Sequence, residues 1–172
     1  MGCIVTFIIL YGPLLTYFPL LLGNSFGASP LIIGLLISVM SLSTALTASQ
    51  LGKLAKIYSE RTLLKATFLL YGLALVMIPF IPNLQAFLIP IVIYGIAHGL
   101  NIPCFQTLMA GLAPMEYRGA FMSLNGMVLR LGQTLGPPLM GAVFSLWGAE
   151  GTFYTGACLS GLMFLFGLIT IR

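Results

Sequence analysis

The stretch Gly52–Lys65 constrains the fold of this chain most strongly, because it is highly charged and lies between two long apolar runs. It holds four of the seven basic residues of the chain: Lys53, Lys56, Arg61 and Lys65. So many charges are too costly to place in hydrocarbon, and short connections rich in Lys and Arg stay on the cytoplasmic side of a membrane. The sequence therefore predicts an aqueous cytoplasmic loop at Gly52–Lys65 that joins two membrane-spanning helices.

The composition indicates a chain that crosses a membrane several times. Of its 172 residues, 59% are hydrophobic and 6% are charged, and the mean hydropathy is +1.10. This balance is typical of integral membrane proteins and excludes an ordinary water-soluble core. The net charge of +4 does not indicate nucleic-acid binding, because the basic residues lie at membrane edges. The sequence has no metal-binding, nucleophile–base or phosphate-binding motif, so we expect neither an enzyme nor a cofactor or metal site.

Six segments are apolar enough to cross a bilayer, since a spanning helix needs about 20 such residues. They cover about residues 3–22, 31–51, 63–81, 86–113, 120–146 and 152–171. The connections after the second and fourth spans, together with the chain end, hold six Lys and Arg residues, whereas the other three connections hold none. We therefore predict an all-α integral membrane domain over residues 1–172, with six helices and both termini in the cytoplasm.

The spans and their basic connection resemble one half of a major facilitator superfamily transporter. The loop signature of that family is Gly-x-Leu-Ala-Asp-Arg-x-Gly-Arg-Arg. This chain matches it at four positions: Gly52, Leu54, Ala55 and Arg61. Lys56 stands where the family has Asp, and Ser59 where it has the internal Gly. The fourth span has Ile91 and Tyr94 ahead of Gly95 where the first half of the family carries Arg-x-x-Gln-Gly. Because of these two departures, the chain resembles the C-terminal half of the family, helices seven to twelve, more than the N-terminal half.

The fifth span carries a second resemblance, to the drug–proton antiporters of the same family. Their fifth helix carries Gly-x-x-x-Gly-Pro-x-x-Gly-Gly, and this span matches it at four positions: Gly132, Gly136, Pro137 and Gly141. Met140 replaces the first Gly of the closing pair. Small residues four apart let two membrane helices approach closely, so we interpret this motif as a helix-packing surface.

Arg130 is the charged residue that cannot be assigned to a connection, because it lies about ten residues inside the fifth span. A charge at that depth is costly and usually faces a cavity or a partner. Gln133 and Pro137 follow at i+3 and i+7, which predicts a polar, bent face together with Arg130. This face suits a polar or anionic substrate or a partner carboxylate. The alternative is an arginine that is bonded to backbone carbonyls or that extends along the helix so that its charge reaches the cytoplasmic interface.

Further candidates for a substrate cavity follow from polar residues in the other spans. His98 and Asn101 lie three residues apart on one face of the fourth span. The resemblance places that helix beside the central cavity, where a histidine can exchange a proton near neutral pH; the alternative is a neutral histidine bonded to a neighbouring helix. The resemblance also gives cavity candidates in the first span and a weaker one in the fifth: Tyr11, Thr16, Tyr17 and Asn125.

These observations predict transport of a small solute by alternating access, with drug–proton antiport as the narrower expectation. All three glutamates fall in or beside connections, so a proton relay would need the other half or His98. We expect the lipid bilayer, a small-molecule substrate, a proton and a second six-helix half (fused, separate or a second copy) as partners, and the bacterial inner membrane as location. No polar segment precedes the first span, which favours a chain cut from a longer protein. The alternative is a non-transporting membrane scaffold that binds a partner helix through Gly132 and Gly136.

Overall fold

The protein is described here by a computed structural model that covers residues 2–112 and 114–170. All regular elements in this described part are helical. The main helices are α1 (Gly2–Ile9), α2 (Phe18–Phe26), α3 (Pro30–Ile57), α4 (Glu60–Met77), α5 (Leu88–Leu112) and α6 (Arg118–Thr170). A π-helical segment, Leu10–Tyr17, joins α1 to α2, and short 3-10 turns lie at Ile78–Phe80, Leu84–Phe87 and Met115–Tyr117.

Five helical stretches of the described residues are long and apolar enough to cross a membrane. They are Ile4–Phe26, Pro30–Ile57, Glu60–Phe80, Leu84–Gly111 and Met115–Ile169. This differs from the six separate spans predicted, because the predicted fifth and sixth spans lie in the single helix α6. Residues 113, 171 and 172, which the sequence places at the ends of the fourth and sixth spans, lie outside the described residues.

The helix α6 is bent at Gly148, between its predicted fifth-span and sixth-span parts. Its 53 residues would extend about 80 Å if straight, more than twice the roughly 30 Å of a hydrocarbon core. Gly148 has φ 69° and ψ −167°, outside the helical region. Only glycine adopts this backbone conformation readily, so Gly148 permits a sharp change of direction at this point.

The stretch Gly52–Lys65, which was predicted to be a loop, is almost entirely helical, so the loop conformation is wrong. The helix α3 continues to Ile57 and α4 begins at Glu60, so only Tyr58 and Ser59 are non-helical. The hydroxyl of Ser59 accepts a hydrogen bond from the backbone N–H of Thr62 at 3.2 Å, which caps α4. Charge excludes these residues from hydrocarbon but not from a helix, so the basic side chains extend from the ends of two long helices.

Close packing organises the bundle around α5 and α6. The helix α5 lies between α3 and α4, while α1 and the π-helical segment pack on α6, which also contacts α4. A Cβ atom at Gly132 would lie 2.8 Å from the carbonyl oxygen of Ile4, and one at Gly136 would lie 3.2 Å from that of Ile8. Glycine at both positions therefore allows α6 to approach α1 with its backbone.

Candidate functional site

A buried hydrogen-bond network joins three helices at Asn101. The hydroxyl of Thr6 in α1 donates to Asn101 Oδ1 at 3.0 Å, and Asn101 Nδ2 donates to Thr67 Oγ1 in α4 at 2.8 Å. Thr67 in turn donates to the carbonyl oxygen of Leu64 at 2.7 Å. Because all three side chains are buried, leaving any of these polar groups unpaired would be costly. Asn101, a predicted cavity residue, is thus placed between helices in this conformation.

His98 lies one turn before this network in α5. Its Nδ1 atom is 2.8 Å from the hydroxyl oxygen of Tyr71 in α4, and which atom donates depends on the histidine tautomer. The rings of Phe7 in α1 and His98 form a T-shaped pair at a centroid distance of 6.4 Å. The half-buried His98 is therefore hydrogen-bonded to a neighbouring helix, which is one of the two arrangements that the sequence left open.

Tyr94 forms an aromatic cluster with Tyr71 and His98. Its ring centroid lies 4.7 Å from that of Tyr71 and 6.5 Å from that of His98. The Tyr94 hydroxyl is buried without a hydrogen-bond partner among the described residues. A buried phenol with a free hydroxyl is destabilised relative to one that is bonded, so Tyr71 and Tyr94 contribute differently to the same cluster.

The π-helical segment carries three of the predicted cavity residues, two of which are hydrogen-bonded to α6. The Tyr11 hydroxyl accepts a hydrogen bond from Gln133 Nε2 at 3.1 Å, and the Tyr17 hydroxyl donates to the carbonyl oxygen of Pro137 at 3.3 Å. Thr16 donates to the carbonyl oxygen of Tyr11 at 2.6 Å. Since π-helical turns are rare and common at functional sites, this half-buried seam between two helices is a candidate substrate wall.

Arg130 diverges from Gln133 on the surface of α6. Gln133 turns inward to Tyr11, whereas Arg130 is exposed, about 18 Å along the axis from Arg118. Successive residues of an α-helix are about 100° apart, so Arg130 and Thr134 lie on the same side of α6 and form an exposed Arg130 strip. An adjacent side of α6 carries an exposed leucine strip: Leu131, Leu135 and Leu139. A midspan arginine is costly against lipid, so the leucine strip suits lipid and the Arg130 strip suits a polar surface.

A strip of small residues also lies on the exposed side of α3. Gly34, Ser38, Ser41 and Ala45 are exposed and follow one another at spacings of four, three and four residues. Exposed leucines lie beside them: Leu35, Leu42 and Leu46. Small side chains at this spacing let another helix approach closely. Like α6, α3 therefore carries a leucine strip that suits lipid and a second strip that suits contact with protein or water.

Asn125 lines a small cavity beside the Asn101 network. The cavity has a volume of about 10 Å³ and is also lined by Thr6, Asn101 and Gln106. That volume holds about one water molecule, and four of the eight lining residues carry an amide or hydroxyl group. The half-buried Asn125 is therefore close to the buried network and lies away from the exposed strip of Arg130.

The remaining motif residues are placed as follows. Gly52, Leu54 and Ala55 lie in the last turns of α3, and Arg61 is exposed in the first turn of α4. A Cβ atom at Gly141 would lie 2.9 Å from the Tyr17 hydroxyl oxygen. Sequence reasoning missed Thr6, Thr67 and Tyr71, although Thr67 and Tyr71 at i and i+4 within an apolar span were a detectable signal.

Comparison with known proteins places the chain among membrane transporters. A family model described as Major Facilitator Superfamily matches residues 1–172. The multidrug resistance protein MdtG of Erwinia billingiae is 28% identical over 160 residues, which are 93% of this chain and 39% of that protein. The multidrug efflux pump Tap of Mycolicibacterium fortuitum is 25% identical over 142 residues, 83% of this chain and 34% of that pump.

An archaeal relative shows the same partial coverage. An uncharacterized MFS-type transporter of Methanocaldococcus jannaschii is 26% identical over 132 residues, 77% of this chain and 34% of that protein. The chain thus spans between a third and two fifths of the length of these relatives. The match to the family model over all 172 residues shows that the chain belongs to the Major Facilitator Superfamily.

Proposed function

We propose that residues 1–172 form one six-helix half, the C-terminal one, of a secondary transporter that moves a small amphipathic solute by alternating access. Transporters of this kind hold their substrate near the bilayer midplane between two bundles that rock against each other. The bend at Gly148 supports a division of α6 into two spans, residues 118–147 and 149–170. With six spans, the excess of Lys and Arg in alternate connections supports an orientation with both ends of this half on the cytoplasmic side of a bacterial inner membrane.

The exposed midspan Arg130 is the observation that carries this proposal. An arginine charge in contact with lipid at midspan would be energetically costly, so the strip of α6 that carries Arg130 faces a cavity or the second bundle. The adjoining seam of Tyr11, Tyr17 and Gln133 supplies hydroxyl and amide groups for a polar substrate. Multidrug resistance proteins among the relatives favour amphipathic, drug-like solutes as the substrate class.

Proton coupling in this half has few candidate groups. The described carboxylates lie at helix ends: Glu60 begins α4, Glu116 lies in a 3-10 turn and Glu150 follows the bend. A carboxylate relay within the membrane therefore belongs to the second half. His98 is the alternative proton carrier in this chain, since its half-buried ring contacts Phe7, which stacks on Tyr11 of the seam.

The scaffold alternative loses its main support in the structure. It required Gly132 and Gly136 to bind a helix of another protein, but both glycines lie against α1 of the same chain. The strip on α3 remains free for a partner helix, and a second six-helix half is the occupant that the transport proposal requires.

A matched pair of cysteine variants tests whether the Arg130 strip faces water. Thr134 and Leu135 are neighbours on α6, both exposed, one on each strip. In a background with the native cysteines replaced, we expect a membrane-impermeant maleimide to label Thr134→Cys about tenfold faster than Leu135→Cys in native membranes. Equal labelling, or faster labelling of Leu135→Cys, would exclude an aqueous cavity at this strip.

A further inference from the structure

A recess lies at the end of the bundle where α6 bends, away from the proposed transport seam. Its volume is about 170 Å³. Its walls come from three parts of the chain: α2 (Leu21, Ser25 and Phe26), the turn after α4 (Ile78, Pro79 and Ile81) and the residues after the bend (Glu150 and Phe153). Three connections that are distant in sequence thus meet at one end of the molecule, the end opposite Tyr58 and Ser59.

Glu150 is the one charged side chain among the residues that line this recess. Within the described residues, no hydrogen bond or ion pair engages its carboxylate, and no Lys or Arg lies between Lys65 and Arg118 or after Arg130 before the chain end. Arg130, the nearest basic residue along α6, lies 20 residues before Glu150. The recess therefore has an uncompensated negative charge, which favours a cationic occupant.

The other walls suit an organic cation better than a hydrated metal ion. Phe153 is fully buried, so the half-buried Phe26 is the lining residue whose aromatic ring a ligand can reach; it is held edge-on against Phe87 at a centroid distance of 5.1 Å. Aromatic rings attract cations at their faces, and the apolar substituents of an organic ammonium ion are stabilised by contact with the apolar side chains of the recess. The volume is below the roughly 300–1,000 Å³ of pockets for drug-sized ligands, so the recess accommodates a head group only.

We propose that this recess binds a small organic cation, an alkylammonium or pyridinium group, with the Glu150 carboxylate as its counter-ion. Ser25 and Phe26 also line the recess and supply a hydroxyl and an aromatic ring. The site is separate from the seam around Tyr11 and Gln133, and its occupancy does not depend on transport.

The chain contains a natural reporter for this site. Trp147 is its single tryptophan, it is exposed beside the bend at Gly148, and it lies three residues before Glu150. We would titrate the purified full chain in dodecyl maltoside micelles with N-methylpyridinium chloride at constant ionic strength. The expected result is saturable quenching of Trp147 fluorescence that tetramethylammonium chloride reverses by competition.

Charge variants test the role of Glu150. Glu150→Gln should weaken binding by about tenfold or more, leaving only linear collisional quenching, whereas Glu116→Gln at the opposite end should bind as the unaltered chain does. Circular dichroism would verify that both variants unfold at the temperature of the unaltered chain. Linear quenching in the unaltered chain, saturable quenching that survives Glu150→Gln, or equal competition by neutral tert-butanol would each overturn the proposal.

Discussion

The hydroxyl oxygen of Tyr71 lies 2.8 Å from Nδ1 of His98 and so joins α4 to α5 inside the bundle. Tyr94, one turn before His98, is equally buried but has no partner for its hydroxyl among the described residues. The two tyrosines differ by one hydrogen bond, which allows that bond to be measured against an internal control.

We expect Tyr71→Phe to destabilise the protein and Tyr94→Phe to leave its stability unchanged or slightly raised. The first variant removes a bonded hydroxyl, worth about 1 kcal/mol, and the second removes an unpaired one. Thermal unfolding in micelles, followed by circular dichroism, compares the two. Because His98 is the single histidine, ¹⁵N-histidine NMR should show a shifted Nδ1 resonance in Tyr71→Phe only. Equal losses of stability would refute a special role for the Tyr71–His98 bond.

A double-mutant cycle tests the Asn101 network. Asn101→Leu removes hydrogen bonds to both Thr6 and Thr67, so we expect a loss of about 1–2 kcal/mol in the free energy of unfolding. Once Asn101 is replaced, Thr67→Val should cost less than it does in the unaltered chain, since the shared bond is already lost. Strictly additive losses would show that Asn101 and Thr67 act independently.

Glycine substitutions in α6 test its contact with α1. Gly132→Ala puts a methyl group against the backbone of Ile4, and we expect a loss of about 1–3 kcal/mol. Gly126→Ala is the matched control, because a Cβ atom there meets nothing within 4 Å and alanine favours the helix. Chemical unfolding of both variants gives the comparison. A stability of Gly132→Ala equal to or above that of Gly126→Ala would contradict the close helix contact.

The helical, membrane-spanning character of the chain could be predicted from sequence because it follows from apolar length and from the placement of charge. The basic stretch was wrongly predicted to be a loop, because Lys and Arg indicate where the hydrocarbon region ends and not where a helix ends. The break between α3 and α4 is only two residues long, and Ser59 caps the second helix. The pairing of Tyr11 with Gln133 and of Tyr71 with His98 could not be predicted, because each depends on how two helices are rotated against each other.

The direction of the Arg130 side chain also could not be predicted from sequence. Its sequence position predicts a midspan charge on one face with Gln133, but a difference of 60° around the helix turns Gln133 inward and leaves Arg130 exposed. The direction of each side chain becomes clear only when the packing of α1 on α6 is known.

Solute flux is the most direct test of the proposed transport function. Everted membrane vesicles from the native host contain any second half that the chain uses, and accumulation of amphipathic dyes such as ethidium can be followed in them by fluorescence. We expect energised uptake to depend on the chain, to fall about tenfold or more with Arg130→Leu, and to be largely kept with Leu131→Ala on the lipid strip. Uptake that is unchanged by Arg130→Leu, or absent while the chain still forms a stable membrane complex, would contradict the proposal.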